Sequence, residues 1–264
     1  MAHRNLTHAL ALVITLALGA LTSTTHAATL DVCASGCTYA TVAGAVAAAG
    51  AGDTIELAAE TFVEGSITLD KDLTIRATGG MATINATSFL AALIIDSGVF
   101  VHLENLRLEG GTYCRLDNAG TVDLSTVWIV GMGPGAPSTF GGVLNRASGT
   151  MTIGSGSAVM GNASVVYGGG INNMGHLVII GATVTGNTGH KGGGFANQGG
   201  TASILSSSFS GNHANNRGGA WANKGYAGTL GSVAFHGSSS TSSNTAGVAC
   251  DRFWDKGRTP SCFN

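Results

Sequence analysis

Apolar and polar residues alternate near period 2 in short runs of this chain, and the runs return every ~25 residues. Leu108, Ile129, Val159, Val184, Phe209 and Phe235 make one apolar column. Each stands two residues before a glycine: Gly110, Gly131, Gly161, Gly186, Gly211 and Gly237. Further back come Leu103, Leu124, Ile179, Ile204 and Leu230, with Gly154 the exception. A third column, Ile94, Leu116, Val143, Ile171, Phe195 and Trp221, precedes a polar one by two residues. The polar column is Asn118, Asn145, Asn173, Asn197 and Asn223, at gaps of 27, 28, 24 and 26. Asp96 and Asp70 extend it toward the N-terminus. Period 2 predicts strands with one face inward. A repeat this short cannot bury its own apolar face, so it must stack on its neighbours as a solenoid. The pattern predicts an all-β, single-stranded parallel β-helix of about seven coils, roughly 35 Å long at the strand spacing.

Asparagine suits the turns of such a coil, and stacked asparagines can bond one another along the axis. The Gly-Asn pairs at Asn162, Asn187 and Asn212 read the same way. Thr38 to Ala49 is alanine-rich and free of glycine clusters, which predicts a short helix over the first coil. The expected organisation is a signal peptide over 1–27 and an N-terminal cap with this helix over 28–52. The β-helix follows over 53–247, and a C-terminal cap loop over 248–264. His3 and Arg4 before the apolar run Ala9 to Leu21, with Thr25-His26-Ala27 at the cleavage point, carry the signal-peptide reading. It predicts a secreted product, extracellular, surface-associated or periplasmic. No later segment is long and apolar enough for a membrane-spanning helix.

Charged residues are 10% of the chain and the net charge is −2, too little basic surface for a nucleic-acid groove. Cys33 and Cys37 flank one short loop and Cys250 and Cys262 another, so each couple is expected to form a disulfide. Cys114 is left over; it falls in the column of Gly141, Gly169, Gly193 and Gly219 and is expected to face inward as a buried thiol.

The stretch Cys37 to Arg76, with its alanine-rich segment and Gly52-Asp53-Thr54-Ile55 turn, resembles the entry of secreted right-handed parallel β-helix proteins of the pectin-lyase-like superfamily. Gly218-Gly219-Ala220 and Phe209-Ser210-Gly211-Asn212 also resemble repeats of the polymorphic outer-membrane proteins. The resemblance implies a right-handed coil over nearly all the mature chain. It implies no single activity, because this fold hosts lyases, hydrolases, epimerases, adhesins and spacers. The superfamily's aspartate clusters and paired catalytic aspartates are missing: no two acidic residues are adjacent, and Gly189-His190-Lys191 breaks a Gly-His-Gly signature. No cofactor or metal is expected.

Two outward patches carry candidate chemistry. His102, Glu104, Arg107 and Asp123 fall on neighbouring strands, with Asp123 beside His102, Trp128 beside Arg107 and Arg76 near Glu104. Such a set could do acid/base work on a polysaccharide, or be ordinary cross-strand pairs. Tyr167, Lys191 and Arg217 take equivalent places before three successive glycine runs, with His190 and His213 in the same loops. Cations stacked at one strand spacing repel, and a bound uronate or sulfate would relieve them. Phe195 and Trp221 share a column with Val143 and Ile171 and read as core. The favoured reading is a non-enzymatic adhesion or glycan-binding module whose partner is an acidic polysaccharide or cell-surface glycan. The alternatives are a polysaccharide lyase or glycoside hydrolase, and a spacer without ligand.

Overall fold

The computed structural model describes residues 27–87, 90–131, 138–224 and 231–247 in full, and the backbone of Arg252–Asp255 and Pro260–Phe263. The expected signal peptide, apart from Ala27, and the expected Cys250–Cys262 bridge lie outside the described residues.

Each coil runs through three short strands that belong to three sheets. The first sheet has nine strands, from Thr29–Val32 to Ser232–His236. The second has eight, from Thr61–Glu64 to Ser240–Ser242. The third runs from Ile67–Leu69 to Arg252–Asp255, where Pro260–Phe263 folds back as an antiparallel hairpin partner. All other described neighbours pair in parallel, one coil on the next, as a right-handed parallel β-helix requires. The second sheet counts eight coils among the described residues, one more than the sequence columns predict. A small lateral sheet of Thr188–Lys191, His213–Arg217 and Thr245–Ala246 lies between the second and third sheets in the later coils.

The interior is a set of continuous apolar stacks. In the first sheet Ile55, Ile75, Leu103, Leu124, Ile153, Ile179 and Ile204 follow in register and are buried. In the second, Phe62, Ile84, Leu108, Ile129, Val159, Val184 and Phe209 do the same. Burying one such side chain stabilises the fold by ~1.5–3 kcal/mol relative to exposure.

Four sequence expectations shift by a residue or a corner. Phe235 does not join the Phe209 stack: it pairs with Ile204 in the first sheet and is 38% exposed, while Thr241 pairs with Phe209. The register at Gly154 moves back one residue, so Ile153 continues the stack. Leu93, not Ile94, aligns with Leu116, and Ile95 and Leu69, not Asp96 and Asp70, hold the place below Asn118. The asparagine column therefore begins at Asn118, because the earlier coils fill that interior place with aliphatic side chains. Cys114 is buried as expected but lies outside the main core, in a satellite cluster with Ala91, Leu144, Tyr113 and Phe140.

Polar ladders close two corners of the coil. Asn118, Asn145, Asn173 and Asn197 each donate Nδ2–H to the next Oδ1, at 2.8, 2.7, 2.7 and 2.8 Å, ending on Asn223. A second ladder, Asn162, Asn187, Asn212 and Asn244, follows the left-handed corner residues Gly161, Gly186, Gly211 and Ser243. These amides saturate corner carbonyls that a dry interior would otherwise leave unpaired.

The N-terminal end is closed by the helix Val42–Ala48, which buries Val42, Ala45 and Val46. Thr41 caps it by accepting from the Gly44 N–H, and Glu64 accepts from the Val42 and Ala43 N–H groups at 2.6 and 2.9 Å. Lys71 donates to the Val46 and Ala49 carbonyls, so each helix end meets a charge of the favourable sign. Asp53 accepts from the Ala28 and Gly50 N–H groups at 2.7 and 2.8 Å, tying the first strand to the end of the helix. The Cys33–Cys37 disulfide is formed beside this cap.

Candidate functional site

The lateral sheet exists because the chain reverses sharply before it enters the third sheet. Gly168, Gly192 and Gly218 take φ of 64°, 66° and 71°, and a Cβ on Gly192 would collide with the Phe195 carbonyl oxygen. The residues just before these glycines are Tyr167, Lys191 and Arg217. They stand in register, Tyr167 bridged to Lys191 and Lys191 paired with Arg217, with a bulge at Gly189/Lys191. All three side chains are half-buried. His190 is exposed, its ring centroid 6.3 Å from that of Tyr167. His213 instead bonds Thr245 Oγ1 through Nδ1 at 2.7 Å.

The structure adds a third cation that the sequence reading missed. Lys224 Nζ sits 4.4 Å from the Tyr167 ring centroid and donates to its hydroxyl at 2.8 Å. Lys224 follows Asn223 of the ladder, as Gln198 follows Asn197 and Arg146 follows Asn145. By strand alternation these residues turn outward, a placement the sequence pattern implies, whereas the contact with Tyr167 is not marked in it. The floor beside them is the outer face of the third sheet, where Asp117, Leu144, Asn172, Ala196 and Ala222 are all buried. Asn172 Oδ1 accepts from Gln198 Nε2 at 2.5 Å.

At the N-terminal end of this face, Arg146 grips Asp117 with two bonds of 2.6 Å, which raises the already high pKa of the guanidinium. Arg115 is buried and donates to the Gly141 carbonyl; desolvation lowers its pKa. Burial pushes the neighbouring Cys114 thiol far up, with the Asp117 charge adding to the effect, so this sulfur stays protonated and inert.

The other patch lies on the first and second sheets. Asp123 pairs in register with His102, Arg76 with Glu104, and Trp128 with Arg107. The charged contacts take other partners, Arg76 with its register neighbour in the preceding coil. Arg76 bonds Glu56 at 2.7 Å and Arg107 pairs with Glu109. Among the described residues the side chains of His102, Glu104 and Asp123 make no hydrogen bond or ion pair to one another. Trp128 donates its indole N–H to the Gly156 carbonyl at 3.3 Å. No group of three or more metal-ligating side chains occurs among the described residues. No helix among them is long and apolar enough to cross a membrane.

No family model and no curated protein matches the chain. It is similar to the solved structure of the pectin methylesterase from Aspergillus niger in deglycosylated form, at 16% identity over 89% of this chain and 91% of that one, with a TM-score of 0.49. The penultimately deglycosylated form of that protein gives 16% identity, the same coverage and a TM-score of 0.47.

Proposed function

We propose that the protein engages an acidic polysaccharide along the lateral ladder. One observation carries this reading: Tyr167, Lys191 and Arg217 stand in register along successive coils, and Lys224 adds its ammonium at the Tyr167 end. A row of cations spaced by the strand repeat, ending on an aromatic ring, matches a polymer with repeating negative charge and flat apolar faces. The mature chain should be retained on an acidic-polysaccharide matrix and released as salt rises, since exposed charges are screened beyond ~8–10 Å at physiological ionic strength. Replacing Lys191 and Arg217 with Ser should remove retention, with a melting transition followed alongside to show that the variant is folded. Retention unchanged by the double substitution would refute the ladder.

A second reading concerns chemistry on the same kind of polymer. The register of His102 with Asp123, beside the aligned Arg76 and Glu104, favours it. Incubation with the same polysaccharides should then release unsaturated ends, reducing ends or ester groups, and His102→Ala should abolish that release. Turnover untouched by His102→Ala would exclude this patch as its source.

A further inference from the structure

The outer face of the third sheet holds a buried polar atom that the fold itself does not use. Asn172 lies between Ile171 and Asn173, which both point inward, so its amide turns outward. The residue is fully buried, its Oδ1 is taken by Gln198, and its Nδ2 has no hydrogen-bond partner. An unsatisfied buried donor costs ~1–3 kcal/mol and calls for a reason. The backbone at Gly168, next to Tyr167, rests against Asn172: a Cβ there would come within 2.9 Å of the Asn172 Cα. Lys224, the register neighbour of Gln198, reaches back from a coil two turns on to clasp the Tyr167 ring and hydroxyl. Among the described residues Lys224 has no carboxylate partner. A cation on an aromatic face is thus linked to an idle amide donor on both sides, through Gly168 next to Tyr167 and through Gln198 next to Lys224.

We propose that Tyr167, Lys224, Asn172 and Gln198 form a subsite for one carboxylated sugar residue of the bound polymer. The ligand carboxylate pairs with the Lys224 ammonium and draws it off the ring. The apolar face of the sugar takes the ammonium's place over Tyr167. A ligand oxygen accepts from Asn172 Nδ2, whose orientation the Gln198 bond fixes. In the free protein the Lys224–Tyr167 clasp keeps the place closed, so part of the binding energy opens it. The proposal rests on the acidic-polysaccharide reading and deepens it.

The test is calorimetric titration of the mature chain with a galacturonate tetramer and with its neutral galactose counterpart, at low salt. The acidic tetramer should bind at least about tenfold more tightly than the neutral one, and Lys224→Gln should remove about that factor. Tyr167→Ala should weaken binding to a similar degree. Tyr167→Phe keeps the ring and frees the ammonium, so it should bind at least as tightly as the unmodified protein; a purely structural role for the clasp would make it as poor as Tyr167→Ala. Unaltered melting temperatures would show that each variant is folded. Full affinity in Lys224→Gln, with affinity lost in the Lys191/Arg217 double variant, would overturn the subsite and leave the ladder reading intact. No binding of the acidic tetramer or its parent polymer by the unmodified protein would overturn both. A Tyr167→Phe variant as weak as Tyr167→Ala would overturn the subsite alone.

Discussion

Asn173 shows how much one amide can do in this fold. Its Nδ2 serves Asn197 Oδ1 at 2.7 Å, the Gly175 carbonyl at 3.2 Å and the Thr201 carbonyl at 3.1 Å, while its Oδ1 accepts from Asn145. The side chain is fully buried, so water cannot replace those partners. Asn173→Ala would leave a donor below and an acceptor above without their rung. Denaturant unfolding should show a loss of ~2–4 kcal/mol, from two broken bonds and their buried ends. Asn223, the last rung of this ladder among the described residues, donates to the Gly231 carbonyl and should cost less on the same change, because among those residues it serves no rung above. Equal losses at the two positions would contradict a ladder whose rungs reinforce one another.

At the scale of the element, glycine placement decides where the lateral sheet forms. Gly192→Ala would force a left-handed alanine, at ~1–2 kcal/mol, and drive its Cβ into the Phe195 carbonyl and Ala196. Gly98 is the control: its φ is 84°, but a Cβ there meets nothing within 4 Å. Gly98→Ala should therefore cost only the conformational part, and Gly192→Ala should lose several kcal/mol more in a melt, with the Lys191–Arg217 register disturbed. The same glycines explain what the sequence could and could not disclose. The ladder from Asn118 to Asn223 was legible because every rung needs the same side chain. Phe235 was misplaced because left-handed residues occur at more than one corner of a coil. Gly237 belongs to the corner after the first sheet, whereas Ser243 and Asn244 occupy the one that Gly211 and Asn212 occupy a coil earlier. The asparagine column was carried too far toward the N-terminus because Asp96 fits the spacing while Ile95 fits the space. Lys224 went unnoticed for another reason. Its partner Tyr167 is 57 residues away and two coils below, and no local pattern marks a reach of that kind.

Across the whole molecule the strands of each coil pair only with those of the coils next to it, so stability adds up largely coil by coil and the ends decide where opening starts. The N-terminal end has a capped helix, a disulfide and the Glu64 and Lys71 contacts. Toward the other end Phe235 is more than a third exposed, and a cavity of about 190 Å³ lies among Trp221, Phe235, Ser239 and Thr241. Amide exchange should thus be fastest over Ser232–His236 and Ser240–Ser242 and slowest over His176–Ile180 and Thr183–Thr185. Uniform protection along the rod would contradict opening from this end.

The Asp53 contact has a consequence for how the protein matures. Asp53 takes the Ala28 N–H at 2.7 Å, and the Ala28 and Gly50 N–H groups hold its carboxyl below the ordinary 3.8. Its contribution is present above that value and fades as pH falls below it. If a signal peptidase cuts after Ala27, as the sequence suggests, the Ala28 nitrogen ceases to be an amide and becomes an ammonium. The bond then turns into an ion pair, and its positive member titrates as well. That amine, raised by its partner above the ordinary ~7.7–8.0, would hold the pair at neutral pH and release it in alkali. Cleavage would fasten the first strand as it frees the chain, and a precursor still carrying Ala27 would lack that alkaline sensitivity.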